Sequence, residues 1–181
     1  MRHISLGITL AALALSAAAF AHPGSKTLAK FEGAIGADPL TGAGGVDVVN
    51  IVRGINPGGR AWVLRRLHAA VSAGGHIVAR GSGLLLASGD VIGTPGPVTQ
   101  VAATLACGPA NNTATLFNSA PAALDAAGNF RIDSALTQDG INPAVLPPTC
   151  DNPVLLIRSV GANGAPGAWF AAGIPDVDDN D

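Results

Sequence analysis

Short apolar runs alternate with clusters of Gly, Pro, Asn and Asp along most of the chain. That punctuation predicts strands joined by tight turns. Residues 28–36 form a first strand, with Leu28, Lys30 and Glu32 alternating imperfectly against Ala29, Phe31 and Gly33. A turn runs from Asp38-Pro39 to Gly44-Gly45, residues 46–52 form the next strand, and Asn56-Pro57-Gly58-Gly59 is a strong turn signal. Residues 61–71 carry two periods. As a strand, Val63, Leu67, Ala69 and Val71 share one face; as a helix, Leu64, Leu67 and Val71 share one side. Flanking glycines and the β-rich surroundings favour the strand. Gly74-Gly75 turns the chain into residues 76–79, and Gly81-Ser82-Gly83 then breaks or bulges the strand. The run Leu84-Leu85-Leu86-Ala87 suits a strand buried on both faces.

Beyond the turns at Ser88-Gly89-Asp90 and Thr94-Pro95-Gly96-Pro97, strands are expected over 98–107 and 113–117. Residues 122–125 and 129–134 flank Ala126-Ala127-Gly128 and read as a hairpin, with the glycine supplying positive φ. A proline-rich loop over 141–149 leads to Cys150, then come a buried strand over 154–160, a glycine-rich loop over 161–167 and a last strand over 168–172. The fold class expected is all-β: an antiparallel β-sandwich or small barrel of roughly nine or ten short strands. No internal repeat has a fixed period.

Residues 1–21 break the pattern. Arg2 and His3 precede an apolar stretch within residues 4–19, and Ala19-Phe20-Ala21 places small residues where a signal peptidase reads. Cleavage there would leave a single β-rich domain over 22–175 and an acidic tail over 176–181, expected to be disordered. The length of 181 residues suits one domain. No second long apolar run is present, so no membrane span is expected after cleavage. Aromatics at 4%, with no Tyr, argue against the aromatic girdles of an outer-membrane barrel. The expected location is extracytoplasmic, periplasmic or secreted. Charged residues are 12% of the chain, the formal net charge is −2, and the densest basic cluster is Arg60, Arg65 and Arg66. That lacks the basic stripe nucleic-acid binding needs, so no nucleic-acid partner is expected.

Cys107 and Cys150 are the only cysteines, in a compartment that permits disulfides. A bridge between them is predicted. Closing a loop of about 44 residues stabilises by roughly 4 kcal/mol in the chain-entropy model.

The segments Gly81-Ser82-Gly83-Leu84-Leu85-Leu86-Ala87-Ser88-Gly89, Cys150-Asp151-Asn152-Pro153-Val154-Leu155-Leu156-Ile157-Arg158 and Trp169-Phe170-Ala171-Ala172-Gly173-Ile174-Pro175 resemble small secreted bacterial β-rich proteins of uncharacterised function. The resemblance covers most of the chain after residue 21. It implies export and a single domain, and transfers no activity, cofactor or catalytic residue.

Among candidate sites, His22 comes first. Cleavage after Ala21 makes it the N-terminus, where the terminal amine and its own imidazole chelate Cu(II) and a further histidine completes the set. His68 and His76 are the other histidines after the cleavage site, so His22, His68 and His76 are the candidate metal ligands and copper the alternative cofactor. The first residue and the compartment are similar to copper-binding periplasmic β proteins and copper oxygenases. The bland reading is a frayed terminus and two ordinary strand histidines. In the tail, Asp176, Asp178 and Asn180 match the opening oxygen positions of a calcium loop, but Asp181 stands where glycine is needed, so a solvated acidic tail is the better reading. Asp125 and Asp133 bracket the predicted hairpin and would form either a facing carboxylate pair or simple turn caps. Trp62 with Trp169-Phe170 would form a platform for a sugar or peptide if exposed; in a chain this poor in aromatics, core is favoured.

No nucleophile elbow, phosphate cradle or HExxH motif is present. The sequence therefore favours an exported β module that binds a protein or glycan ligand or serves structurally, and that is not an enzyme. A copper-binding protein using His22 is the alternative, and a small hydrolase without a visible motif the third reading.

Overall fold

The computed structural model describes residues 26–41, 48–110 and 113–176. Among them there is no helix. The strands are β1 (Thr27–Gly36), β2 (Leu40–Thr41), β3 (Val48–Val49), β4 (Trp62–Ser72), β5 (His76–Leu86), β6 (Gln100–Cys107), β7 (Thr115–Asn118), β8 (Ala122–Ala123), β9 (Phe130–Ala135), β10 (Val154–Val160) and β11 (Pro166–Pro175). Nine of them form one antiparallel sheet in the order β7-β6-β10-β11-β1-β4-β5-β9, with β8 also pairing β6, while β2 and β3 pair separately. The expected all-β antiparallel class is what the chain adopts.

The sheet curls until its edges meet. Asn118 at the end of β7 exchanges two backbone hydrogen bonds with Thr137, just beyond β9, at 2.7 and 2.8 Å, and Leu124 bridges Phe130. Phe31, Leu67, Val71, Ile77, Leu105, Ile132, Leu155 and Ile157 fill the enclosed core and are almost fully buried. β6 is buried along nearly its whole length, as befits a strand of Val, Ala, Thr and Leu covered on both faces.

Several sequence expectations need correcting. Residues 61–71 are a strand, but Val63 is exposed, while Trp62 and Leu64 are buried with Leu67, Ala69 and Val71. The inward face changes parity at Arg65-Arg66, and β5 changes parity with it at Gly83, whose φ is +72°. A β-carbon at Gly83 would lie 3.1 Å from Arg65 Cβ. Because both strands invert together, Leu64 still pairs Leu84 and Arg66 still pairs Ser82. Gly81-Ser82-Gly83 therefore bends β5 without breaking it. Leu84 and Leu86 are buried but Leu85 only partly so, which makes this end of β5 alternating.

The expected hairpin over 122–134 closes at its turn, where Leu124 bridges Phe130 and Asp125 N–H donates to Asn129 O at 3.0 Å, but its ladders run to other neighbours: β8 pairs β6, and β9 pairs β5. Within residues 46–52 the ladder spans only Val48–Val49, residues 46 and 47 lying outside the described residues. The last strand begins earlier and ends later than expected, at Pro166 and Pro175.

The predicted disulfide joins Cys107 and Cys150, with Cα atoms 4.9 Å apart. It ties the segment before β10 to the end of β6, where Gly108 N–H also donates to Asp151 O at 2.8 Å.

Candidate functional site

The turn Asn56-Pro57-Gly58-Gly59 is held against β11 by backbone bonds. Gly58 N–H donates to Trp169 O at 2.8 Å, and Trp169 N–H donates to Asn56 O at 3.0 Å. This brings Gly58 under two rings. A β-carbon there would come 2.9 Å from both Phe170 Cδ1 and Trp62 Nε1, so only glycine fits. Trp62, opening β4, stacks on Phe170 of β11 with ring centroids 4.1 Å apart and planes at 28°.

The loop after β5 walls the space above these rings. Gly93 N–H donates to Leu86 O, and Leu86 N–H donates to Thr94 O, both at 2.9 Å, so the loop folds back onto the strand end. Thr94 Oγ1 donates to Val91 O and accepts from Gly96 N–H, which fixes the loop's far side. The result is a cavity of about 710 Å³ over Trp62 and Phe170, walled by Leu86, Val91, Pro97 and Val98, with Arg60 at its edge. That volume lies in the range of about 300–1,000 Å³ usual for small-molecule sites, and the lining has the apolar character such sites share.

Two polar groups of this cavity are uncommitted. Trp62 is 6% exposed, yet its indole N–H has no acceptor among the described residues, whereas the indole of Trp169 donates to Asn50 O at 3.1 Å. No fully buried side-chain nitrogen or oxygen among the described residues lacks a partner. The Trp62 indole nitrogen is therefore not fully buried, and Trp62 is part of the cavity lining. Arg60 is exposed and makes no ion pair or hydrogen bond among the described residues; its guanidinium lies over Gly89, where a β-carbon would be 3.3 Å from Nη1.

A second, more polar cleft of about 750 Å³ lies where the sheet edges meet, lined by Asn118, Ser134, Thr137, Asp139 and Asn163. Its polar groups are largely bonded to one another. Asp139 accepts from the Ile141 and Asn142 N–H groups and the Asn142 side chain, which pull its carboxyl down to about 2. Ser134 Oγ accepts from Ala120 N–H. Asn118 Oδ1 accepts from Thr104, whose hydroxyl in turn accepts from Arg158. Arg158 also donates to the Pro166 and Gly167 carbonyls, and its partial burial lowers its pKa.

The structure separates most of the residues singled out in the sequence. His68 pairs with Glu32 across β1 and β4, and His76 contacts Asp133 at 2.8 Å. His68 stands opposite Arg80, four residues along β5 from His76, roughly 13 Å at the strand rise. The two imidazoles are thus not brought together, and His22 lies outside the described residues. Among the described residues no three His, Cys, Asp or Glu side chains cluster as a metal site. Asp125 and Asp133 are not a carboxylate pair. Asp125 caps its own turn through the Asn129 and Ala127 N–H groups, Asn129 lowering its pKa most, while Asp133 is lowered first by His76 and then by Arg131. Trp62, Trp169 and Phe170 are buried, so the exposed platform does not form; the core reading holds, and the upper surface of the stack floors the cavity. Of the tail, Asp176 N–H donates to Lys30 O, and residues 177–181 lie outside the described residues, as does the signal-like segment 1–21.

Sequence reasoning grouped Arg60 with Arg65 and Arg66, but the fold places Arg60 at the cavity and the other two on the strand. It read 94–97 only as a turn and missed Val91 and Val98. No known protein family, curated protein or solved structure matches the chain.

Proposed function

We propose that the chain is an exported single-domain binding module that seats a small, largely apolar ligand over Trp62 and Phe170. The observation that carries this reading is the apolar cavity over the Trp62–Phe170 stack, walled by a loop bonded back onto the end of β5, with Trp62, whose N–H has no acceptor among the described residues, in its lining. Export rests on residues 1–21 and their Ala19-Phe20-Ala21 site. The absence of a catalytic motif favours binding over catalysis.

A neutral fluorescent probe, N-phenyl-1-naphthylamine, tests the cavity. Saturable binding to one site is expected, weakened at least tenfold by Val91→Glu, which places a charge on a wall residue already 40% exposed. Probe binding that does not saturate, or that is indifferent to Val91→Glu, would refute it. N-terminal sequencing of exported protein should begin near His22; material retaining Met1 would refute cleavage.

A further inference from the structure

We infer that the ligand of this cavity is an amphipathic monocarboxylate, a hydrocarbon or aryl body carrying one carboxylate; the inference rests on the cavity reading above. The polar groups lining the site are unequal in kind. The Thr94 hydroxyl is consumed within its own loop, donating to Val91 O at 2.8 Å and accepting from Gly96 N–H at 3.1 Å. What remains on side chains is two donors, the Trp62 indole N–H and the Arg60 guanidinium, and no acidic side chain lines the cavity.

Two free donors call for an acceptor, and one of them is a permanent cation that no carboxylate among the described residues neutralises. The guanidinium lies over Gly89, and none of its N–H groups is bonded among the described residues, which leaves them to pair with a planar two-oxygen group. Leu86, Val91, Pro97, Val98 and the stacked rings then surround the body of the ligand with carbon. Charge at the edge and carbon within set the polarity of the ligand: anionic head at Arg60, apolar tail over Trp62 and Phe170.

Calorimetric titration of the full chain with decanoate and with decanol, its neutral counterpart of the same length, separates the contributions. Decanoate should bind more tightly than decanol by roughly 10- to 100-fold, the range for a hydrogen bond to a charged group. Arg60→Gln should remove most of that advantage and leave decanol unchanged. Arg60 is exposed and makes no hydrogen bond or ion pair among the described residues, and glutamine keeps the first part of its stem, so an unchanged decanol affinity reports an intact cavity. Trp62→Phe keeps the ring stack and should weaken decanoate by a smaller factor. Equal binding of the two compounds, or decanoate binding insensitive to Arg60→Gln, overturns the carboxylate assignment while leaving the cavity standing. Binding of neither compound, with the neutral naphthylamine probe still binding, also overturns it. Loss of all three overturns the cavity reading itself.

Discussion

Gly81 on β5 stands opposite Phe130 on β9, and the phenyl ring of Phe130 occupies the place a β-carbon at Gly81 would take. Both residues face the core, so the ring supplies the volume that the glycine lacks. Gly81→Ala should therefore cost about 1–3 kcal/mol through overpacking. Pairing it with Phe130→Leu should cost less than the sum of the two single changes, because the smaller side chain vacates the contested space. Denaturant unfolding of the four proteins measures this coupling, and additive effects would show that the ring moves aside freely.

The Cys107–Cys150 bridge closes the segment that holds β7, β8, β9 and the loop over 141–149. The first part of that loop has anchors of its own, since Ala144 N–H donates to Leu136 O and Leu146 is buried against Gly75. Removing the bridge by Cys107→Ser should lower stability by up to about 4 kcal/mol. Under limited proteolysis the first cuts should fall between Leu146 and Cys150, beyond those anchors. An unchanged denaturation midpoint, or first cuts elsewhere, would contradict this.

What the sequence made legible was local. The cysteines could be paired because no others compete, and the turn at Asp125–Gly128 was visible in its own composition. The partners of the strands beside that turn were not, because β8 and β9 join different strands and sheet order is a nonlocal choice. β4 looked ambiguous for a physical reason: its inward parity changes at Arg65-Arg66, so neither a period of two nor a helical period fits throughout. Gly83 was the visible sign of that change. Trp62 and Phe170 were grouped as aromatics, but the cavity above them was out of reach, since the loop carrying Val91 and Pro97, folded back onto the end of β5, meets them only through nonlocal packing and an uncommitted indole N–H leaves no trace in composition.

Acid should loosen the loop that begins at Asp139. Its carboxyl is drawn down to about 2, chiefly by the Asn142 and Ile141 N–H groups. A carboxyl that binds its proton less readily in the folded state than in the unfolded state contributes stability above the unfolded value of 3.8 and loses it as pH falls towards 2. Asp125 and Asp133 act in the same direction. The Tm of the wild-type protein should thus fall between pH 5 and pH 2, and Asp139→Asn should flatten part of that slope. Identical slopes for the two proteins would mean the capping bonds do not persist in solution.

Arg80 on β5 and Arg131 on β9 face each other directly on the outer surface of the sheet, and His68 and Glu32 continue the same cross-strand row on β4 and β1. The carboxylates here are already engaged: Glu32 with His68, and Asp133 with both Arg131 and His76. Arg80 is left without a partner among the described residues, opposite a like charge. Such a pair is destabilising by roughly 0.2–1 kcal/mol. Arg80→Thr, which places a β-branched residue at an exposed strand position, should therefore raise stability by at least that order. The salt dependence identifies the cause. Screening at 1 M NaCl shrinks the Debye length to about 3 Å and relieves the repulsion in the wild type, so the advantage of Arg80→Thr should narrow there. An advantage of the same size at low and high salt would trace it to strand propensity, and a loss of stability on Arg80→Thr would show that the aliphatic stem of Arg80 contributes packing that outweighs the repulsion.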